Sequence, residues 1–158
     1  MSAGRKTLQG RFYPLNPQKY KGDPTGIVYR SSWELMACKR FDTDTRIIWW
    51  ASEEFHIKYY NPVKEREARY FIDFFICIRQ NGIDRVVAIE IKPFYETHPP
   101  RPAKDRHAKS RHRYLTEKAT YDVNQAKWAA AREFCKLKGM EFMILTEYEL
   151  GLKKRPKA

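Results

Sequence analysis

Two apolar runs each carry a single acid. YFIDFFICI holds Asp73, and VVAIEIK holds Glu90 with Lys92 two residues further on. An ionised carboxylate is costly inside such a run unless something compensates its charge. The runs are joined through Asn81-Gly82, the pair favoured by a two-residue type I′ hairpin turn because both central positions need positive φ. With these as the loop, Gln80 faces Ile83 and Asp73 faces Glu90, their Cβ atoms about 5 Å apart. Strand alternation then sets Asp73, Phe75 and Cys77 against Glu90, Ala88 and Val86 on one face. Ile72, Phe74 and Ile76 meet Ile91, Ile89 and Val87 on the other, and Lys92 shares the carboxylate face. Opposed carboxylates repel unless a cation lies between them, and a hard divalent ion with oxygen ligands answers that need, Mg²⁺ being the usual cellular choice. In the plainer alternative, Lys92 neutralises one acid and the group is a strand ion pair. The cost of burying both charges favours the metal reading.

The elements that must position these residues are legible around them. A helix is expected from Ser31, carrying Trp33, Leu35, Met36 and Ala37 ahead of Phe41. Strands follow at 46–51 and 55–60, closed by Asn61-Pro62, then the hairpin strands 68–80 and 83–92. A second helix is expected from Ala119 to Lys138, stopped by Gly139, and a last strand at 141–146. The result is an α/β or α+β domain, a central mixed sheet flanked by helices. Glu34 has two readings: Ser31-x-x-Glu34 fits a capping box in which the Glu returns to the cap amide, or the carboxylate joins the acid site. On the late helix, Tyr121, Gln125, Trp128 and Arg132 share one face and Val123, Ala126, Ala130, Phe134 and Leu137 form the apolar stripe. Gln125 is then either a solvated helix residue or a group that orients phosphate or water.

The chain has 158 residues and a formal net charge of +12. Its length supports one domain with a genuine core, and 42% hydrophobic with 15% aromatic residues excludes wholesale disorder. Neither a membrane span nor a signal peptide is expected from the apolar runs, so a soluble intracellular protein is anticipated. Cys38, Cys77 and Cys135 lack metal or disulfide spacing and read as buried small hydrophobes. The positive charge is concentrated: residues 1–22 and 98–118 each carry an excess of five, and 151–158 an excess of four, leaving a nearly neutral body. Residues 1–28 read as an extended basic arm, 93–118 as a basic loop insertion and 151–158 as a basic tail. Such segments favour a polyanion, nucleic acid being the commonest. His98, His107 and His112 sit among these bases as loop residues or phosphate contacts rather than metal ligands. No Gly-rich phosphate loop or nucleophile elbow is present.

The ordered set Glu34, Asp73, Glu90-Ile91-Lys92 and Gln125 resembles the PD-(D/E)xK nuclease superfamily, with Ile72 where Pro often precedes the Asp. The stretches GRKTLQGRFYPLNPQKYKGDP, YRSSWEL, YFIDF, IEIKP and NQAKWAAAREFC to FMILTE further resemble the head completion nucleases of T4-like tailed phages, over nearly the whole chain. The sheet and late helix are also similar to the TnsA-type transposon endonucleases. The resemblance implies a restriction-endonuclease-like core and endo- and exonuclease activity on double-stranded DNA after packaging. Phage head, portal or neck proteins are the implied partners, and the host cytoplasm during assembly, then the virion, the implied location. It implies no membrane and no small-molecule substrate.

On this reading Asp73, Glu90 and the Ile91 carbonyl hold Mg²⁺, or Mn²⁺ in its place, with Glu34 a direct or water-mediated ligand. Lys92 positions a water and offsets phosphorane charge, and Gln125 orients water or phosphate. Arg5, Lys6, Arg11, Arg101, Lys104, Arg106, Lys109, Arg111, Arg113, Lys127, Lys153, Lys154 and Arg155 are expected to grip the DNA backbone. Two alternatives stay open: a transposon or repair endonuclease that needs a partner, and a non-catalytic DNA-end-binding protein of the virion.

Overall fold

The computed structural model describes residues 8–104 and 106–157; Arg5 and Lys6, expected at the DNA, lie outside them. The elements in chain order are β1 (Gly10–Arg11), β2 (Val28–Tyr29), α1 (Ser32–Thr43), β3 (Ile47–Ser52), β4 (His56–Asn61), β5 (Arg66–Phe71), β6 (Phe74–Gln80), β7 (Ile83–Ile91), α2 (Ala108–Lys138) and β8 (Glu141–Leu145). Short 3₁₀ turns occupy Pro17–Lys19 and Phe94–Thr97. The central sheet has the order β3-β6-β7-β8, antiparallel except for the β7–β8 pair. That pair is parallel because α2 carries the chain back across the sheet between them. No helix among the described residues is long and apolar enough to cross a membrane.

The β6–β7 hairpin forms in the expected register, Gln80 opposite Ile83 through Phe74 opposite Ile89. Its turn has φ 51° at Asn81 and 74° at Gly82, as a type I′ loop requires. The expected strand 68–80, however, is broken. β5 ends at Phe71 and pairs with β4, whereas β6 begins at Phe74 and pairs with β3 and β7. The chain turns the same corner between β3 and β4, where Glu53 takes φ 51°, and the Glu53 amide donates to the Asp73 carbonyl at 3.0 Å. A two-stranded β4–β5 ribbon therefore leaves the sheet at the level of Asp73. Alternation holds only along a continuous pleat, so Ile72 packs with Phe75, Ala88 and Trp128 instead of with Phe74 and Ile76.

Each sheet face buries its own core. On one, Ala37, Cys38 and Phe41 of α1 meet Trp50, Phe74, Ile76, Val87, Ile89 and Ile91. On the other, Trp128, Ala131 and Cys135 of α2 meet Phe75, Ala88 and the ribbon residues Ile57, Tyr59 and Tyr70. The buried seam of α2 is thus Asn124, Trp128, Ala131 and Cys135. The stripe expected from Val123 to Leu137 is rotated away: Val123, Ala126, Ala130 and Phe134 flank the seam, and Leu137 is 76% exposed. Trp128, the largest apolar side chain on the helix, sets that rotation. All three cysteines are buried and unpaired.

α2 also starts at Ala108 rather than Ala119, so much of the segment expected as a basic loop is helical. Its Lys, Arg and Glu residues are good helix formers, and i,i+4 ion pairs support the early turns, Arg113–Glu117 at 3.0 Å and Lys118–Asp122 at 2.6 Å. At its other end Gly139 adopts φ 68° and its amide closes onto the carbonyls of Cys135 and Lys136.

Residues 8–28 lie over the body. Phe12, Tyr20 and Ile27 enter the α1-side core, and the Phe12 and Lys21 amides donate to the carbonyls of Ile27 and Trp50. The buried Asp42 carboxylate holds the segment, accepting from the amides of Leu15 at 2.7 Å and Asn16 at 3.1 Å. Lys19 Nζ donates to the Asp42 and Asp44 carbonyls at the C-terminal end of α1, so its charge serves the fold. Asp42→Ala leaves two amides without their acceptor and is expected to cost about 1–3 kcal/mol, read as a lower urea midpoint with residues 8–28 becoming protease-sensitive.

Candidate active site

The corner between β5 and β6 aims Asp73 at the end of β7. Its Oδ2 accepts from the Ile91 amide at 2.8 Å. Glu90 is 4% exposed. Its Oε2 accepts from the Tyr70 hydroxyl at 2.6 Å, and Lys92 Nζ stands 3.7 Å from Oε1. Asp73 has only part of its surface covered yet is densely surrounded, as a carboxylate on the floor of a recess is. From α2, Lys127 reaches over the two ribbon tyrosines, its Nζ 5.4 Å from the Tyr70 ring centre and 5.8 Å from that of Tyr59.

The electrostatics are those of a crowded acid pair. Burial pushes the Asp73 carboxyl well above the usual carboxylate range, and the charges of Glu90 and Glu34 push it further, against the Ile91 amide and Lys92. Burial also raises Glu90, while Lys92, the Tyr70 hydroxyl and Lys127 favour its charged form. Lys127 is lowered by burial and by Lys92, with the two acids opposing. The Tyr70 hydroxyl is raised by burial and by Glu90, which keeps it a donor.

Groups whose folded pKa lies above the unfolded value destabilise the fold once pH exceeds the unfolded value, about 3.9 for Asp and 4.3 for Glu. The stability they leave intact below pH 4 is lost as pH rises through their folded values. In metal-free buffer, the melting temperature of Asp73→Asn minus that of the wild type is therefore expected to be near zero at pH 4 and to grow towards pH 7. Thermal scans across that range measure it; a constant difference would contradict the raised Asp73.

Glu34 does cap α1, though differently from expectation. The Ser31 hydroxyl accepts from the Glu34 amide at 3.1 Å, but the Glu34 carboxylate accepts from the amide of Arg30 at 2.8 Å rather than from that of Ser31. Its charge still bears on Asp73. Gln125 is half-buried on α2, with no side-chain hydrogen bond among the described residues. Lys127, expected to grip the DNA backbone, is half-buried beside the acids. Arg11, Arg101, Lys104, Arg106, Lys109, Arg111, Arg113, Lys153, Lys154 and Arg155 are exposed, Arg155 being paired with Glu149.

Sequence reasoning missed Tyr70. A signal existed, since a buried Tyr hydroxyl needs a partner, but the strand break that returns it to Glu90 hid which one. Among the described residues, no three His, Cys, Asp or Glu side chains form a ready metal cluster. The local donors are two carboxylates and main-chain carbonyls, a sparse oxygen set of the kind Mg²⁺ accepts while keeping several waters. Two crowded acids in mutual conflict, one of them buried, make such a cation chemically fitting.

The model of the TnsA-like endonuclease N-terminal domain matches residues 44–147, from the entry to β3 through the end of β8. This chain belongs to the TnsA-like endonuclease family. The TnsA-like span contains Asp73, Glu90, Lys92, Gln125 and Lys127, and it places the mixed sheet and α2 among PD-(D/E)xK-type nucleases. Glu34 lies outside it. The head completion nuclease of Enterobacteria phage T4 is 36% identical over 138 residues, 87% of this TnsA-like chain and 90% of that protein.

Proposed function

We propose that this protein is a Mg²⁺-dependent DNA nuclease, with Mn²⁺ able to substitute, that cuts or trims packaged phage DNA during head completion before tail joining. The observation that carries the chemistry is the Asp73–Glu90 pair, buried, mutually repelling, and attended by Lys92, Tyr70 and Lys127. The likeness to a head completion nuclease over nearly the whole chain supports the setting, with the host cytoplasm, then the virion, as location and head or neck proteins as partners.

Asp73, Glu90 and the Ile91 carbonyl would hold the metal, with Glu34 joining through water. When bound, Mg²⁺ supplies Lewis acidity towards the scissile phosphate and lowers the pKa of a water. Lys92 positions that water and offsets charge developing on the phosphorane. Gln125, its amide unengaged among the described residues, orients water or phosphate. Tyr70 fixes the Glu90 carboxylate through its 2.6 Å hydrogen bond. The exposed bases before and along early α2, with Arg11 and the C-terminal group, hold the DNA backbone, giving weak sequence preference and steep salt dependence.

Supercoiled and linear plasmid incubated with the purified chain in Mg²⁺, Mn²⁺ or EDTA, beside Glu90→Ala, tests this. Nicking and end trimming are expected in either metal, and none in EDTA or with the variant. Retained DNA binding without cleavage in either metal would refute the nuclease and favour a structural end-binding protein. Cleavage only on addition of a recombinase would favour the transposon type.

A further inference from the structure

Between the Phe94–Thr97 turn and the first half of α2 lies a cavity of about 280 Å³. Tyr95, Tyr121 and Asn124 line it, together with Glu96, Glu117 and His98, and no lysine or arginine does. Asn124 is 6% exposed and makes no side-chain hydrogen bond among the described residues, yet its amide is not sealed from solvent. No protein group among the described residues pairs that amide, so a ligand presenting both a donor and an acceptor would replace the water that reaches it.

The chemistry of the walls selects that ligand. Two carboxylates beside a single imidazole, that of His98, disfavour a phosphate, which a cluster of Lys or Arg would attract. Aromatic rings offer stacking faces to any base, and an Asn amide matches a donor–acceptor edge bidentately. The volume falls just under the roughly 300–1,000 Å³ of cavities that take drug-sized ligands, which suits one ring system.

The cavity is tied to the acid pair through short stretches of chain. Lys92-Pro93 runs directly into the turn, so the Lys92 and Tyr95 Cα atoms are at most about 10 Å apart. Asn124 lies one helical turn before Lys127, on the neighbouring i,i+3 position. We propose that this cavity receives one unstacked nucleobase of the strand held at Asp73 and Glu90. The preferred substrate is accordingly a DNA end, flap or gap, where unstacking a base costs least, over uninterrupted duplex. This rests on the nuclease reading above.

The test uses duplexes with single-stranded 3′ or 5′ overhangs carrying 2-aminopurine at successive positions, titrated with the full chain in EDTA so that no cutting occurs. One position is expected to change fluorescence on binding. Tyr95→Ala, at a residue 72% exposed and so safe for the fold, should abolish that change and weaken binding at least about 5-fold, the worth of stacking one base. Tyr95→Phe should retain both, and Asn124→Leu or an abasic site at that position should behave as Tyr95→Ala does. The absence of any responsive position, or full signal and affinity in Tyr95→Ala, would overturn the proposal. Plasmid digestion in Mg²⁺ by the same wild-type preparation reports the nuclease reading separately. Cleavage without a responsive position refutes the base pocket alone, and a responsive position without cleavage refutes the nuclease alone.

Discussion

In single-turnover cleavage of duplex DNA, Asp73→Asn is expected to lose about 10³-fold in rate, while the metal-free variant melts about 2–4 °C higher than the wild type at pH 7. The two signs together carry the information. A neutral amide can still accept from the Ile91 amide, so the corner between β5 and β6 keeps the hydrogen bond that aims it. What disappears is a charge that burial and Glu90 both oppose, and about 1 kcal/mol regained gives a shift of that size in a domain of this length. The activity loss follows because one of the two carboxylates proposed to hold the metal is gone, and removing preorganised charge from a reaction centre costs on the order of 10²–10³ or more. An acid pair with a merely structural role gives the opposite pattern, with lower stability and unchanged cleavage. Sites that gain stability when a polar group is removed are those where function maintains the strain.

Lys92→Met is expected to lose about 10²–10³-fold in cleavage with DNA affinity unchanged, and to lower stability by about 1–2 kcal/mol. The Lys92 side chain is 22% exposed and its Nζ lies 3.7 Å from a nearly inaccessible Glu90 carboxylate. Losing one partner of a fully buried pair typically costs about 3–5 kcal/mol. Here Tyr70 and Lys127 remain to favour the Glu90 charge, and partial exposure screens the rest, which sets the lower figure. Lys92→Arg separates the roles. It restores the charge and hence the stability, but a planar guanidinium cannot replace a compact ammonium at a positioned water, so its cleavage should stay within tenfold of Lys92→Met. Restored cleavage in Lys92→Arg would show that bulk charge, and not placement, is what Lys92 contributes.

The hairpin was legible because its information is local. Asn81-Gly82 dictates the turn, and the turn dictates a register that runs to Phe74 opposite Ile89, one residue short of Asp73 and Glu90, without reference to the rest of the chain. The corner at Ile72–Asp73 was not legible. YFIDFFICI reads as one continuous strand, and the break depends on the separate pairing of β5 with β4, a contact between distant segments. That single miss moved Ile72 to the other core and concealed the Tyr70–Glu90 hydrogen bond. The rotation of α2 was lost similarly, since small alanines around most of the helix blur its periodicity and Trp128 decides which side is buried. Positive charge misled at 108–118: a run of bases suggested a loop, although several of those residues favour helix and two, Arg113 and Lys118, pair with acids one turn away.

The account stands or falls on whether the acid pair holds a divalent cation. Mn²⁺ titrated at pH 7 into the wild-type chain with a short duplex, and into Asp73→Asn under the same conditions, can be followed by the electron paramagnetic resonance signal of free Mn²⁺. Saturable binding by the wild type that Asp73→Asn lacks is the predicted result; equal binding by both, or none by the wild type, would contradict it.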